Sequence, residues 1–302
     1  MKVVSPRRNT PSFLLGVDGG GTGTRAKLAR VESAHLVIGT GAAGPSGLAL
    51  GVDSAWQAVI AACEAAFAAT GHSPVWEQCA LVCGLAGVNH PEWRAQFLAA
   101  APVFAQLDVV SDAYSTVVGA HDGAPGIAIA LGTGSVGLRL LSDGGMRMVG
   151  GWGFPSADEA SGAWLGLRAI VHAQQALDGR VPRDDFAQAL LRATGTGDRD
   201  ALQVWLSDAD QTRYASLAPL VLTHAQHPVC AGLLAEAARQ VERMVDALDG
   251  GERPALAFCG SLAEALLPYL PATLRARAVG PRGDSASGAL TLAARLIDRH
   301  AT

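Results

Sequence analysis

The chain has 302 residues, 49% of them apolar and 17% charged, so it can bury the cores of two domains and is not a disordered protein. A net charge of −4 provides no basic surface for nucleic acid, and no apolar run is long enough to cross a membrane. The five cysteines include no CxxC pair, which argues against a disulfide framework and favours the reducing cytoplasm.

The first half of the chain begins with a strand, a glycine-rich turn and a second strand over residues 13–31. The pattern then predicts a third strand at 35–41, a helix at 53–71, a buried strand at 79–87, a helix at 91–101, and a strand at 107–113 that leads into a helix at 114–121. This alternation of strands and helices is typical of an α/β domain.

The second half repeats this order, with a strand, a glycine-rich turn and a strand over 126–142 and a third strand at 145–151. A mostly helical stretch at 160–248, a strand–turn–helix at 255–270 and a closing helix at 285–300 follow. Such a repeat predicts two related α/β domains, over residues 1–115 and 116–285, the second of which carries the helical insertion. The closing segment at 286–302 is a candidate to pack back on the first domain.

The turn from Gly132 to Gly137 spells GTGSVG and matches the GxGxxG pattern of dinucleotide-binding turns. That motif must open a helix, so that the pyrophosphate rests on the helix N-terminus, whereas residues 138–141 continue as a strand. A second match, GTGAAG at 39–44, is followed by further glycines and by no helix before about residue 53. A nicotinamide-dependent dehydrogenase is therefore a distant alternative.

The two glycine-rich hairpin turns suit phosphate better. Backbone N–H groups that no side chain obstructs form concave nests for phosphate oxygens. Asp18 lies at the end of the first strand, where a hard carboxylate suits Mg²⁺, usually through water. Thr22 and Thr133 add hydroxyl donors to the two turns. Two ordinary hairpins are the alternative, but the matched positions and the carboxylate favour phosphate.

Five stretches in this order, VDGGGTGTRA, SDAYSTVVGAH, ALGTGSVG, GGWGFPSADEASGAW and FCGSLAEALL, resemble the BadF/BadG/BcrA/BcrD-type branch of the actin/hexokinase/Hsp70 ATPase superfamily. Within that branch the chain most resembles the N-acetylglucosamine and glucosamine kinases. The resemblance implies an α/β fold of two actin-like (ribonuclease-H-like) domains, with a cleft between them for ATP, Mg²⁺ and a sugar. The resemblance implies that ATP contacts three loops. The first phosphate loop is Gly20, Gly21 and Thr22, and the second is Gly132, Thr133, Gly134 and Ser135. The loop near the adenosine is Gly260 and Ser261.

Asp112, in the stretch SDAY, matches the catalytic base of this family. A sugar hydroxyl is a poor nucleophile, so phosphoryl transfer needs its oxygen in line with the γ-phosphorus. A carboxylate that accepts the hydroxyl proton adds roughly 10²–10⁴ in rate. Asp112 follows a predicted strand, and strand ends are where ligands bind in α/β sheets. The alternative role is N-cap of the next helix, and one residue could serve both roles.

The stretch GGWG, followed by Asp158 and Glu159, matches a sugar-contacting segment of the family, and we expect Asp158 to face the sugar. Trp152 either walls the pocket or lies in the core. In the family, an Asn that contacts the sugar usually stands where this chain has Gly47, so Ser46, backbone groups or another segment must supply the hydrogen bonds of that Asn. A second departure is Ala160, which stands where the family usually has Gly. The expected substrate contacts are Ser46, Gly47, Asp112, Trp152, Gly153 and Asp158.

His224, His227 and Cys230 are spaced three apart, but the spacing is loose for zinc and no fourth ligand is evident, so we interpret them as part of a helical surface. Cys79 and Cys83 lie in a predicted buried strand and are interpreted as core thiols. Sister members of the family are ATPases that activate dehydratases through an iron–sulfur cluster. That role would need a cysteine pair exposed at a dimer interface.

The sequence therefore predicts an ATP- and Mg²⁺-dependent amino-sugar kinase that phosphorylates the 6-hydroxyl of N-acetylglucosamine or glucosamine, with Asp112 as the base. The alternatives are an ATPase that activates a partner enzyme, a kinase of another hexose, and a sugar-sensing regulator. We expect a cytoplasmic protein that binds ATP and a small amino sugar but neither nucleic acid nor membrane. A homodimer, common in such families, is left open.

Overall fold

The computed structural model describes residues 10–301, with side chains up to residue 298. The chain divides into two compact units. Of the described residues, the first unit comprises residues 10–124 together with residues 281–301, and the second runs from Pro125 to Gly280. The sequence predicts the first boundary after residue 115, within a helix at Asp112–Ala120. That helix packs against the closing helix, which holds it in the first unit and moves the boundary beyond it.

The first unit contains a five-stranded sheet in the order β3-β2-β1-β4-β5. Its strands are β1 (Phe13–Gly19), β2 (Thr24–Arg30), β3 (Val37–Ala43), β4 (Cys79–Leu85) and β5 (Gln106–Ser111). The first three strands form antiparallel pairs, whereas β4 runs parallel to β1 and β5 runs parallel to β4. The carboxyl ends of β1, β4 and β5 therefore meet at one edge of the sheet.

Helices cover both faces of this sheet, and every residue of β4, which lies between β1 and β5, is therefore buried. The helices are α1 (Val52–Ala68), α2 (Pro91–Ala99), α3 (Asp112–Ala120) and α12 (Ser285–Ala301). One core contains the apolar face of α1, including Trp56 and Phe67, and the other contains Leu290 and its neighbours on α12. The closing helix thus packs on β1, β4 and α3 of the first unit.

The second unit repeats the plan with a sheet in the order β10-β9-β6-β7-β8. Its strands are β6 (Gly126–Leu131), β7 (Ser135–Leu140), β8 (Met146–Gly150), β9 (Leu256–Cys259) and β10 (Ala278–Val279). Again three strands form antiparallel pairs, and the fourth runs parallel to the first of them. The predicted α/β fold with two related sheets is confirmed.

Between β8 and β9 the chain is helical, as predicted. The helices are α4 (Gly162–Leu177), α5 (Asp185–Thr194), α6 (Arg199–Asp208), α7 (Gln211–Ala215), α8 (Ala218–Thr223) and α9 (Pro228–Asp249), with α10 (Ala263–Leu266) and α11 (Ala272–Arg277) after β9. They share one large apolar core with the inner face of β6. Among the described helices, none combines the length and the apolar character needed to cross a membrane.

Candidate functional site

The first glycine-rich turn joins β1 to β2. The amide of Gly20 donates to the carbonyl of Gly23 over 3.1 Å and closes the turn. Gly21 and Thr22 are exposed, and an added Cβ on Gly21 would meet no atom within 4 Å. The backbone of this loop is therefore open to a ligand, as a phosphate nest requires.

Two carboxylates lie beside this loop. Asp18 is the penultimate residue of β1 and Asp112 is the first residue of α3, directly after β5. Because β1 and β5 end at the same edge of the sheet, both side chains line one cleft of about 380 Å³ together with Gly20, Thr22 and Arg25. The cleft thus combines a backbone nest, two carboxylates and a guanidinium.

Burial raises the pKa of both carboxyl groups above the ordinary value of an aspartate. For Asp112 burial dominates, although the amide of Ala113 donates to the carboxylate over 2.8 Å and lowers the pKa. For Asp18 burial again dominates, the hydroxyl of Ser285 donates a hydrogen bond that lowers the pKa, and the charge of Asp112 raises it. A buried pair of carboxylates is costly unless a cation or a proton shares it.

Asp112 does not serve as the N-cap of α3. The cap is Ser111, whose hydroxyl accepts the amide of Tyr114 over 3.1 Å. Ser111 has the extended backbone of a cap residue, whereas Asp112 already lies in the first turn. The capping role considered from the sequence is therefore wrong, and the Asp112 carboxylate faces the cleft.

Ser46 and Gly47 hold the first glycine-rich loop in place through hydrogen bonds to its backbone. Their amides both donate to the carbonyl of Gly20 over 3.0 Å. The hydroxyl of Ser46 accepts from Thr24 over 2.7 Å, and the residue is fully buried, which gives it a structural role rather than the exposed position expected of a sugar contact. An added Cβ on Gly47 would lie 3.4 Å from the backbone of Gly20 and Gly21, an ordinary van der Waals contact, so the two loops lie against each other at this position.

The second glycine-rich turn, in the second unit, joins β6 to β7. The amide of Gly132 donates to the carbonyl of Gly134 over 3.0 Å. The first amides of α4, those of Gly162 and Ala163, donate to the carbonyls of Gly132 and Thr133 and fix the turn against the helix N-terminus. Ser135 is buried, and its hydroxyl donates to the carbonyl of Glu159 over 2.6 Å, so this side chain stiffens the loop.

Asp158 lies against the second loop and is buried. An added Cβ on Gly134 would lie 2.8 Å from its Oδ2 atom. The carboxylate accepts the side-chain amide of Gln211 over 2.7 Å and the backbone N–H groups of Ser135 and Gly153. Burial nevertheless raises the pKa of Asp158, and these hydrogen bonds oppose the rise. Of the two neighbouring acids, Asp158 is therefore the one fixed beside the loop.

The chain around Asp158 is held in an uncommon conformation. Asp158 and Ala160 both have a positive φ, of 62° and 66°, in the left-handed region that costs about 1–2 kcal/mol for a residue with a Cβ. This explains why a glycine is usual at the position of Ala160. Trp152 is 87% exposed, so its placement in the core is wrong, and Gly153 next to it donates to Asp158.

The predicted adenosine loop lies next to the second phosphate loop in the same unit. Gly260 and Ser261 follow β9, which pairs with β6, and both are exposed. The amide of Leu262 donates to the carbonyl of Leu131 over 3.0 Å and ties the two loops together. The second unit thus brings Gly132, Gly260 and Asp158 to one end of its sheet.

Sequence reasoning missed Gln211 and Ser285. Gln211 begins a five-residue helix far along the chain from Asp158, and Ser285 begins α12, far from Asp18. Neither lies in a motif, and only the packing of distant segments brings each to its carboxylate. Cys79 and Cys83, by contrast, are fully buried in β4 as predicted.

Comparisons with known proteins agree with this arrangement. The model of the BadF/BadG/BcrA/BcrD ATPase family matches residues 15–282. The chain is 32% identical over 288 residues to glucosamine kinase GspK of Vibrio cholerae, which covers 93% of this chain and 96% of that protein. It is 27% identical over 173 residues to an N-acetylmuramic acid/N-acetylglucosamine kinase of Clostridium acetobutylicum, over 56% of this chain and 55% of that protein.

A solved structure described as a candidate N-acetylglucosamine kinase, from Chromobacterium violaceum, is 44% identical to this chain and superposes with a TM-score of 0.90. The match covers 94% of this chain and 100% of that one. The extent of these matches shows that the chain belongs to the BadF/BadG/BcrA/BcrD ATPase family.

Proposed function

We propose that this protein is an ATP-dependent amino-sugar kinase that transfers the γ-phosphoryl group to the 6-hydroxyl of glucosamine or N-acetylglucosamine. The observation that carries the proposal is the cleft in which Asp18 and Asp112 flank an open glycine loop. The relatives named as glucosamine and N-acetylglucosamine kinases support the substrate class. The two sugars differ at the 2-position, which carries an amine in glucosamine and an acetamide in N-acetylglucosamine.

Asp112 is the proposed base. Its carboxylate accepts the proton of the sugar hydroxyl as the hydroxyl oxygen forms its bond to the γ-phosphorus and the bond to the leaving ADP oxygen breaks. Burial raises the pKa of Asp112, which makes the carboxylate a stronger base than an exposed aspartate.

Asp18 is the proposed Mg²⁺-holding residue. The oxygen donors of Asp18 and the neighbouring carboxylate of Asp112 fit a divalent cation, which would offset the charge buried in this cleft. Bound Mg²⁺ would neutralise charge on the phosphate oxygens. Gly21 and Thr22 would donate their backbone N–H groups to phosphate, while the amide of Gly20 closes the turn. Gly132, Thr133 and Gly134 form the second phosphate loop that the sequence predicts.

Asp158 is the proposed contact to the sugar. Its carboxylate is oriented by three hydrogen bonds, including that from Gln211, and such fixed acceptors discriminate sugar hydroxyls by geometry. Gly153 contributes by holding the carboxylate in place, and Trp152 is exposed and free to cover a ligand. The cytoplasmic location and a homodimer both stay predictions.

The partner-activating ATPase is the weaker candidate. The cysteine pair that it would need at a surface, Cys79 and Cys83, is fully buried in β4. Burial raises the pKa of Cys79 to about 12 and that of Cys83 well above its ordinary value, so neither thiol supplies a thiolate for a cluster at neutral pH.

The experiment that tests the proposal measures ADP release by the purified protein with MgATP. It is run without sugar and then with glucosamine, N-acetylglucosamine, glucose and N-acetylmannosamine in turn, and the 6-phosphate product is identified by mass spectrometry and NMR. Strong stimulation by one amino sugar is expected and fixes the group at the 2-position. Equal ADP release with and without every sugar would contradict the proposal and favour the partner-activating ATPase.

A further inference from the structure

Three side chains of the second unit converge among its helices, at residues to which the proposed kinase assigns no role. They are His172 in α4, Asp184 at the N-cap of α5, and His227 at the N-cap of α9. The Nε2 atom of His172 lies 3.1 and 3.0 Å from the two oxygens of Asp184, and the Nε2 atom of His227 lies 3.0 Å from Oδ2. Their donor atoms all lie within 4.8 Å of one another.

These separations suit one small cation. Ligand atoms that surround Zn²⁺ tetrahedrally at its usual bond lengths lie about 3.3 Å apart. Two imidazoles and a carboxylate are also donors of the type that Zn²⁺ takes, whereas Mg²⁺ and Ca²⁺ prefer oxygen alone. The cluster therefore differs in its donor atoms from the pair of carboxylates, Asp18 and Asp112, in the cleft of the first unit.

The two imidazoles are held in place by packing. The Phe186 ring lies 5.6 Å from the ring of His172 and 5.2 Å from that of His227, measured between centroids, and the two imidazoles are 5.0 Å apart. His172 is buried, whereas the side chains of Asp184 and His227 are 29% and 22% exposed, so an ion can reach the cluster from solvent. Packing of this kind holds the ring planes of both imidazoles in place before a metal binds.

The carboxylate is ionised over the whole neutral range. Burial tends to raise the pKa of Asp184, but hydrogen bonds from the amide of Ala187 and from His172 and His227 outweigh it and hold the pKa at about 2. The amide of Ala187 donates to Oδ1 over 2.9 Å, which anchors the carboxylate and directs Oδ2 to the imidazoles. An ionised acid between two imidazoles attracts a divalent cation.

We infer that His172, Asp184 and His227 form a binding site for one Zn²⁺ ion, with water completing the coordination. Zinc takes the place of the protons that the imidazoles now direct at Asp184. When Nε2 of His227 binds zinc, the ring proton lies on Nδ1. Nδ1 can then no longer accept the amide of Val229, so their 3.3 Å contact opens. That contact is long for a hydrogen bond, and one coordination bond outweighs its loss. The ion would tie α4, α5 and α9 together.

His224 provides a matched control within the same segment. It also packs against Phe186, at 5.4 Å, but its Nδ1 atom faces the carbonyl of Leu220 over 2.9 Å, away from Asp184. The sequence places His224, His227 and Cys230 on a helical surface, which is wrong for Cys230 because it is fully buried, and the three residues do not together form the cluster. Only His227 belongs to it, and its partners come from two other helices.

The test uses the tag-free full chain, stripped with a chelator and dialysed. Zinc content is measured after incubation with a small excess of Zn²⁺ and removal of free metal, and the thermal midpoint is measured with and without Zn²⁺. The variants are His227→Asn, which keeps an N-cap residue for α9, Asp184→Asn, which keeps a cap for α5, and His224→Ala. Far-UV circular dichroism verifies that each variant folds.

We expect about one zinc ion per wild-type chain and a thermal midpoint that rises with Zn²⁺ concentration, since the ion binds the folded state. His224→Ala should behave like the wild type. His227→Asn and Asp184→Asn should each lose one equivalent of zinc and most of the shift. A wild type that retains no zinc, or a His227→Asn variant that retains as much as the wild type, would overturn the inference.

Discussion

The side-chain amide of Gln211 donates to Oδ2 of Asp158 over 2.7 Å, across 53 positions of sequence. The two residues lie on different elements, one at the start of α7 and the other in the loop before α4. The contact matters because the same carboxylate lies against Gly134 of the second glycine loop. A residue outside every motif thus orients the acid that we propose contacts the sugar.

Replacing Gln211 with Ala should therefore raise the KM for the amino sugar on the order of tenfold, which is the effect of losing one hydrogen bond to a charged group. The KM for ATP should change much less, and circular dichroism should show an intact fold. Gln188→Ala is the matched control, because Gln188 is an exposed amide bonded to the carbonyl of Arg183. An unchanged sugar KM in Gln211→Ala would remove Gln211 from substrate positioning.

Asp112→Asn should abolish activity while it stabilises the protein. Activity should fall by roughly 10²–10⁴ because the variant has no base, with ATP binding retained. Burial raises the pKa of Asp112, so its ionised form opposes folding, and this penalty is absent at low pH and grows as pH rises. Removing the charge should raise the thermal midpoint at pH 7, and the difference from the wild type should vanish as the pH falls below 3.8. A fully active variant would contradict the mechanism.

The pH dependence of kcat/KM should also report the raised pKa of Asp112. Asp112 must be ionised to accept a proton, and burial places its pKa above the ordinary value of 3.8. The acid limb of kcat/KM should therefore fall away at a higher pH than for an exposed aspartate. Measuring kcat/KM between about pH 4 and 8 with saturating metal tests this, and a flat profile down to pH 4 would count against Asp112 as the base.

The variant Ser285→Ala tests the proposed role of Asp18 in metal binding without changing Asp112. The hydroxyl of Ser285 donates to Asp18 and lowers its pKa, and it also lies 2.7 Å from the hydroxyl of Ser115. Removing it should raise the pKa of Asp18 further and weaken metal binding, seen as a higher Mg²⁺ requirement. The control is Ser287→Ala, because Ser287 lies in the same helix as Ser285 but its hydroxyl contacts Lys27. Equal Mg²⁺ requirements in the two variants would show that the Ser285 hydroxyl does not tune metal binding at Asp18.

Stability of the second unit should depend on Arg277. Its guanidinium pairs with both oxygens of Asp249 and donates to the carbonyl of Pro254, and both charged side chains are less than one-fifth exposed. Removing one partner of a buried pair leaves the other charge uncompensated, so Arg277→Ala should cost about 3 kcal/mol in urea unfolding. Arg239→Ala, which breaks an exposed pair with Glu236, should leave the transition unchanged.

The sequence by itself determined the repeated α/β plan, because the alternation of apolar residues and the paired glycine turns are local signals. It also predicted the carboxylates at strand ends, Asp18 and Asp112, since strand order and the position of a residue after a strand decide which edge it reaches. The family that it resembled is confirmed. The buried cysteines of β4 followed from an uninterrupted apolar run.

Only the tertiary structure decided which distant groups meet these residues. Gln211 reaches Asp158, Ser285 reaches Asp18, and His172 joins His227 through packing of helices that no local pattern records. It also decided exposure, because Trp152 and Ser46 carry no periodic pattern that separates surface from core. Sequence patterns specify each element by its own neighbours, whereas a site is assembled by contacts between elements, and those depend on the whole packed core.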